Sequence, residues 1–215
     1  MTISDEASAK ERAPHFSMLR SYHAADFLTL ANVFSGTVSI LMMMSYLVAL
    51  QDWRVKVALA APIFAFAFDV ADGKIARWRH EQSVFGRELD SLADIVSFGV
   101  APVAVAYGLG MRGGLDLIIL VFFVGCGVSR LARYNITAAR LSNEQGKVKY
   151  FEGMPIPSSL LLILILAVCF YMGRVGDNLA LGVIEVGFLR WHPLSVLYLA
   201  NGCAMISKRL HVPKL

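Results

Sequence analysis

Asp69, Asp72, Asp90 and Asp94 fall within 26 residues, the first two three apart and the last two four apart. On a helix, each pair shares a face. Gly73, Arg77 and Gly86 stand between them. Carboxylate oxygens are the ligands that hard divalent cations such as Mg²⁺ prefer. Two helix ends facing each other would aim all four carboxylates at one ion. Glycine lets a bulky ligand approach the backbone, and an arginine fork pairs with phosphate. Metal ligands, glycines and an arginine in one stretch describe a site for a phosphate-bearing substrate of nucleotide type. Simple solvation at helix ends is the competing account, since Asp90 and Asp94 also suit a helix N-terminus. It fits one pair better than the full set, because carboxylates in apolar spans rarely lack a role.

The elements that position these residues must be helices in a bilayer. Of the 215 residues, 57% are hydrophobic, against about 45–50% in a soluble domain. Several runs approach the roughly 20 residues a helix needs to cross a membrane. They are continuously apolar, without the alternation over about 10 residues that marks barrel strands. The expected fold is an all-α integral membrane protein with six transmembrane helices. The spans are Phe27–Leu50, Val57–Arg77, Glu88–Gly110, Leu115–Asn135, Met154–Met172 and Arg190–Ser207. Residues 1–25 form a polar N-terminal arm, 26–208 the membrane domain and 209–215 a basic C-terminal tail. Leu179–Leu189 is apolar but too short to cross. The arm lacks an apolar core followed by a small-residue cleavage site, so no cleaved signal peptide is expected.

Charge sets the orientation. With six spans, 15 of the 20 lysines and arginines lie on the side of both termini; Arg54, Lys56, Arg112, Arg174 and Arg190 lie opposite. Both termini, and the mouth of the aspartate cluster, are therefore expected to be cytoplasmic. Cys126, Cys169 and Cys203 are scattered in apolar segments and read as packing residues. The five histidines show no ligand spacing, and no function is assigned to them. In the first span, Thr29, Asn32, Ser35 and Gly36 share one helical face. That face suits either helix packing or ligand contact.

The pattern D-x2-D-G-x2-A-R-x8-G-x3-D-x3-D, from Asp69 to Asp94, resembles the signature of the CDP-alcohol phosphatidyltransferase family. Thr29–Asn32, Phe85–Pro102, Arg130–Asn135 and Tyr150–Pro157 extend the likeness to its phosphatidylserine synthase branch, over roughly residues 20–172. The resemblance implies six helices around a polar cavity open to the cytoplasm, often in a homodimer. It implies transfer of a phosphatidyl group from CDP-diacylglycerol to an alcohol, with release of CMP and dependence on Mg²⁺ or Mn²⁺. It assigns Asp69, Asp72 and Asp90 to the metal. Asp94 becomes a metal neighbour and general base. Gly73, Arg77, Gly86 and Asn32 are matched to the CDP moiety.

The branch resemblance alone favours L-serine as acceptor. Arg130, Arg133 and Asn135 are candidates to hold its carboxylate, or the arginines simply snorkel at a helix end. Another alcohol, such as glycerol 3-phosphate or inositol phosphate, and an archaeal CDP-lipid donor, are alternatives within the same chemistry. A divalent-cation channel or transporter is the alternative of another class. It would place carboxylates deep in the bilayer, often in repeated halves, whereas here they cluster at one side. The partners expected are membrane lipid and the two substrates, with no nucleic acid.

Overall fold

A computed structural model describes residues 24–79, 83–142, 150–186, 189–207 and 211–213. Residues 1–23 of the arm, with His15 and His23, lie outside the described residues, as do His80, Lys147, Lys149, Lys208, Arg209 and Lys214. The fold is helical. Its long elements are α1 (Ala24–Ala49), α2 (Asp52–Arg79), α3 (Val84–Asp94), α4 (Ala101–Leu109), α5 (Gly114–Ser142), α6 (Leu160–Tyr171) and α7 (Ser195–Ile206). Two antiparallel ribbons complete it: β1 (Tyr150–Glu152) with β4 (His211–Pro213), and β2 (Ile184–Val186) with β3 (Leu189–Trp191).

Among the described residues, three helical stretches are long and apolar enough to cross a membrane: Ala25–Ala49, Val84–Leu109 and Gly114–Thr137. At 28 residues α2 is long enough, about 42 Å, but it carries charge at both ends. Ile156–Tyr171 and Ser195–Ile206 are shorter apolar helices.

The expected boundaries move for local reasons. α5 runs past Asn135 to Ser142, because Ala138, Ala139, Arg140 and Leu141 are good helix formers with no breaker among them. The last helix starts at Ser195 rather than Arg190; Pro193 disfavours helix at the residue before it, and β3 occupies Leu189–Trp191. Pro155 is extended and Pro157 sits in a 3₁₀ turn (Ile156–Ser159), so α6 begins at Leu160.

α1 and α2 form the most extensively packed helix pair, an antiparallel hairpin closed at Leu50 and Gln51. Arg54 pins the turn by donating to the Ser45 carbonyl at 2.9 Å and to the Gln51 side chain at 3.1 Å. Ser39 Oγ donates to the Ala58 carbonyl at 2.6 Å. Between α3 and α4 the rod continues through a π-helical turn, Ile95–Val100, in which the Ala101 N–H reaches back to the Val96 carbonyl. The wider turn lies just before Pro102, which has no N–H and would crowd the Phe98 carbonyl in a regular helix. α1 meets this turn almost backbone to backbone at Gly36. A Cβ there would lie 2.6 Å from Ser97 Cα. The core runs through Met43, Phe98, Val105, Phe123, Leu166 and Tyr198, with Phe123 and Tyr198 edge to face at 5.3 Å.

Candidate active site

The second half of α2 carries Asp69, Asp72, Gly73 and Arg77, and α3 carries Gly86, Asp90 and Asp94. α3 starts sharply: Ser83 is its N-cap, and its Oγ accepts the Gly86 N–H at 2.8 Å. That cap fixes where the helix begins and so which face Asp90 and Asp94 present. Gly86 is closely packed by two side chains. A Cβ there would lie 2.9 Å from Oδ1 of Asp26 and 3.0 Å from Ser83 Oγ.

The two aspartate pairs meet. One carboxylate oxygen from each of Asp69, Asp72 and Asp90 lies within 4.8 Å of the other two. The Asp69 carboxyl is also within hydrogen-bonding reach of Asp94. Asp72 and Asp94 are buried, and Asp90 Oδ1 is a buried oxygen without a hydrogen-bond partner among the described residues. This donor set fits a hard divalent cation. Oxygens bound at 2.0–2.6 Å span at most about 5 Å across the ion, and an orphaned buried carboxylate oxygen is explained by a cation ligand.

α1 supports the cluster from behind. Thr29 Oγ1 donates to Asp72 Oδ2 at 2.7 Å, and Asn32 Nδ2 approaches Asp94 Oδ1 at 3.4 Å. Ser97 Oγ in turn donates to the Asn32 carbonyl at 2.9 Å. Asn32 is fully buried, so its side chain lies beneath the carboxylates.

The remaining candidates are placed unevenly. Arg77 is exposed, with its guanidinium over Gly73: a Cβ on that glycine would lie 3.5 Å from Arg77 Nη1. Arg130 is half-buried, its Nε has no partner among the described residues, and its charge interacts through space with Asp94. Arg133 is half-buried and without an ion pair among the described residues. Asn135 ties α5 to α3, donating to Glu88 Oε2 at 3.1 Å and to Ser91 Oγ at 3.0 Å. Sequence reasoning missed Asp26, which is buried. The available signal was its spacing, since Asp26, Thr29 and Asn32 recur every third residue on one face of α1.

The class so defined is a helical membrane enzyme whose acidic cluster is suited to a divalent cation and phosphate chemistry. The chain belongs to the CDP-alcohol phosphatidyltransferase family, whose model matches residues 22–192. It is 44% identical over 203 residues to the CDP-diacylglycerol–serine O-phosphatidyltransferase of Saccharomyces cerevisiae, covering 93% of this chain and 74% of that one. It is 35% identical over 148 residues to the enzyme of the same name from Methanocaldococcus jannaschii, covering 69% of this chain and 62% of the relative. The archaetidylserine synthase of Methanothermobacter thermautotrophicus is 33% identical over 141 residues, 64% of this chain and 54% of the relative. Family membership supports an enzyme over a channel.

Proposed function

We propose that this protein transfers a phosphatidyl group from CDP-diacylglycerol to the hydroxyl of L-serine, giving phosphatidylserine and CMP. The observation that carries this reading is the convergence of Asp69, Asp72 and Asp90 inside a matched transferase region, in a chain 44% identical to a yeast protein named for that reaction. Asp69, Asp72 and Asp90, with Asp94 beside them, are the residues that would hold a Mg²⁺ or Mn²⁺. When bound, that ion supplies charge neutralisation at the pyrophosphate and eases departure of CMP.

The chain's own residues do the rest. Gly73 gives the CDP moiety room at the backbone, Gly86 lets Asp26 and Ser83 close on the start of the helix that carries Asp90 and Asp94, and Arg77 pairs with a phosphate. Asn32 holds Asp94 from beneath the nucleotide. Asp94 takes the proton from the serine hydroxyl, which requires hydrogen-bond reach to it. The serine oxygen bonds to the lipid-bearing phosphorus as the bond from that phosphorus to the bridging oxygen breaks. CMP leaves with the bridging oxygen. Arg130 receives the serine carboxylate, flanked by Arg133 and Asn135; its unpartnered Nε and its interaction with Asp94 support this place.

The membrane domain, residues 26–208, crosses six times around a polar cavity open to the cytoplasm. The arm at 1–25 and the tail at 209–215 lie on that same side. The lysine and arginine distribution supports the orientation. The four longest helical stretches support four of those crossings, and the shorter apolar helices Ile156–Tyr171 and Ser195–Ile206 lie where the other two are expected. The lipid tails of the donor stay in the bilayer, and the working unit is a homodimer, as the family resemblance implies.

The test is an acceptor panel. Purified protein with CDP-diacylglycerol and Mg²⁺ or Mn²⁺ is expected to release CMP with L-serine and not with glycerol 3-phosphate or inositol phosphate. CMP release with either phosphorylated alcohol alone rejects serine. Two of the relatives' names share serine and differ in the lipid, so an ether-linked CDP-lipid belongs in the same panel.

A further inference from the structure

A cavity lies at the end of the bundle remote from the aspartates. α1 meets the aspartates near its start and ends at Ala49, whereas α5 reaches Ser91 through Asn135 and starts at Gly114. The helix ends remote from the aspartates, with the loops after α4 and α6 and strand β3, enclose a cavity of about 310 Å³. Its walls carry Arg112, Arg190 and His192 as basic or titratable groups, Asp177 as the acidic one, and Tyr46 and Leu50 on the α1 side.

His192 has an unusual environment. It is only 2% exposed, and its Nδ1 lies 2.7 Å from Oδ2 of Asp116, which is itself fully buried. The Asp116 carboxylate also accepts the backbone N–H groups of His192 at 2.9 Å and Gly113 at 3.1 Å. A carboxylate with those donors requires the proton on Nδ1. In the neutral ring, Nε2 is therefore an acceptor. It is buried and has no hydrogen-bond partner among the described residues. A carboxylate-oriented imidazole with a free outer nitrogen is an arrangement that proteins use to present that nitrogen to a ligand.

The electrostatics of the walls narrow the ligand. Arg112 is exposed and uses two of its five N–H donors, on the carbonyls of Tyr107 at 3.1 Å and Gly108 at 2.9 Å. Its other donors are free among the described residues. Arg190 is already paired with two carboxylates, Asp177 at 2.5 Å and Glu185 at 3.5 Å. Arg112 is therefore the guanidinium of the cavity wall that keeps free donors for an anionic group. Leu50 and Val175 add apolar surface at the ends of membrane helices, where lipid headgroups lie. A guanidinium with free donors at such a helix end suits a headgroup phosphate, and this volume falls within the range of small-ligand sites.

The geometry points to a second ligand site here: a glycerophospholipid headgroup of the leaflet opposite the aspartates, its phosphate on Arg112 and a headgroup hydroxyl or ammonium on His192 Nε2. The site is separate from the transfer chemistry.

The full chain in detergent tests it, with dioctanoyl phosphatidylglycerol as the lipid probe and inorganic phosphate as the free-anion probe. The lipid is expected to raise the thermal unfolding midpoint saturably, also with CDP-diacylglycerol saturating the transfer site. Inorganic phosphate at equal concentration is expected to give no shift. Arg112→Gln, an exposed change, should weaken the lipid response at least tenfold while CMP release stays at the wild-type rate. His192→Gln should do the same; if it does not fold, Arg112→Glu replaces it and should abolish the lipid response. A lipid response unchanged in Arg112→Gln, one reproduced by inorganic phosphate, or none at all would each overturn the site.

Discussion

At the scale of single residues, the carboxylates differ in what holds them. Asp72 takes the Thr29 hydroxyl at 2.7 Å, while Asp94 is approached only by the Asn32 amide at 3.4 Å. A short hydrogen bond orients a carboxylate as a ligand; a long one leaves it freer to accept a proton. Asp94→Asn is therefore expected to lower kcat by about 10²–10⁴-fold, the usual worth of a general base, with little change in KM for the CDP-lipid. A fully active variant would remove Asp94 from that role. Thr29→Val keeps the shape and deletes the hydroxyl. Loss of a group that orients a metal ligand typically weakens metal binding about 10–100-fold. The activity of Thr29→Val should therefore recover at high Mg²⁺, whereas that of Asp94→Asn should not. An unshifted Mg²⁺ midpoint for Thr29→Val means that the bond to Asp72 does not serve the ion. The aspartate spacing was legible in the sequence because three- and four-residue separations fix a helical face. The Thr29–Asp72 bond was not, because its partners are 43 residues apart and only packing brings them together.

At the scale of elements, the site depends on how closely α1 approaches α3 and the π turn. A Cβ at Gly36 would lie 2.4 Å from Ser97 Oγ and 2.6 Å from Ser97 Cα. The hydroxyl can rotate away, but the backbone cannot. Gly36→Ala is expected to push α1 from the turn at an overpacking cost of about 1–3 kcal/mol. Because Asn32 and Thr29 ride on the same helix face, turnover should fall together with the unfolding midpoint. A variant that loses stability but keeps wild-type kcat would separate α1 packing from catalysis. Long apolar runs made the spans at Ala25–Ala49, Val84–Leu109 and Gly114–Thr137 legible. The π turn was hidden: Pro102 signals a missing N–H, but not how the chain absorbs it. The Asp116–His192 pair was hidden as well. Its members stand 76 residues apart, and neither has motif spacing.

At the scale of the whole molecule, the aspartate cluster opposes stability until something neutralises it. Four carboxylates converge where two of them are buried, and like charges held together in a poorly solvated site repel. An ion bound only by the folded state reverses the sign. At 100 times its dissociation constant it adds about 2.7 kcal/mol. The unfolding midpoint of the wild type in detergent should therefore rise on titration with Mg²⁺ or Mn²⁺ and fall again with a chelator. Asp90→Asn removes one charge and the orphaned oxygen's anionic character. It should unfold at a higher temperature than the wild type without metal and respond much less when metal is added, so the two titration curves cross. Arg130, facing Asp94 from α5, supplies only part of the compensation, because one cation cannot offset four carboxylates. Parallel curves, with Asp90→Asn below the wild type at every metal concentration, would mean that Asp90 holds the bundle together rather than an ion. The metal centre would then lose its main structural argument.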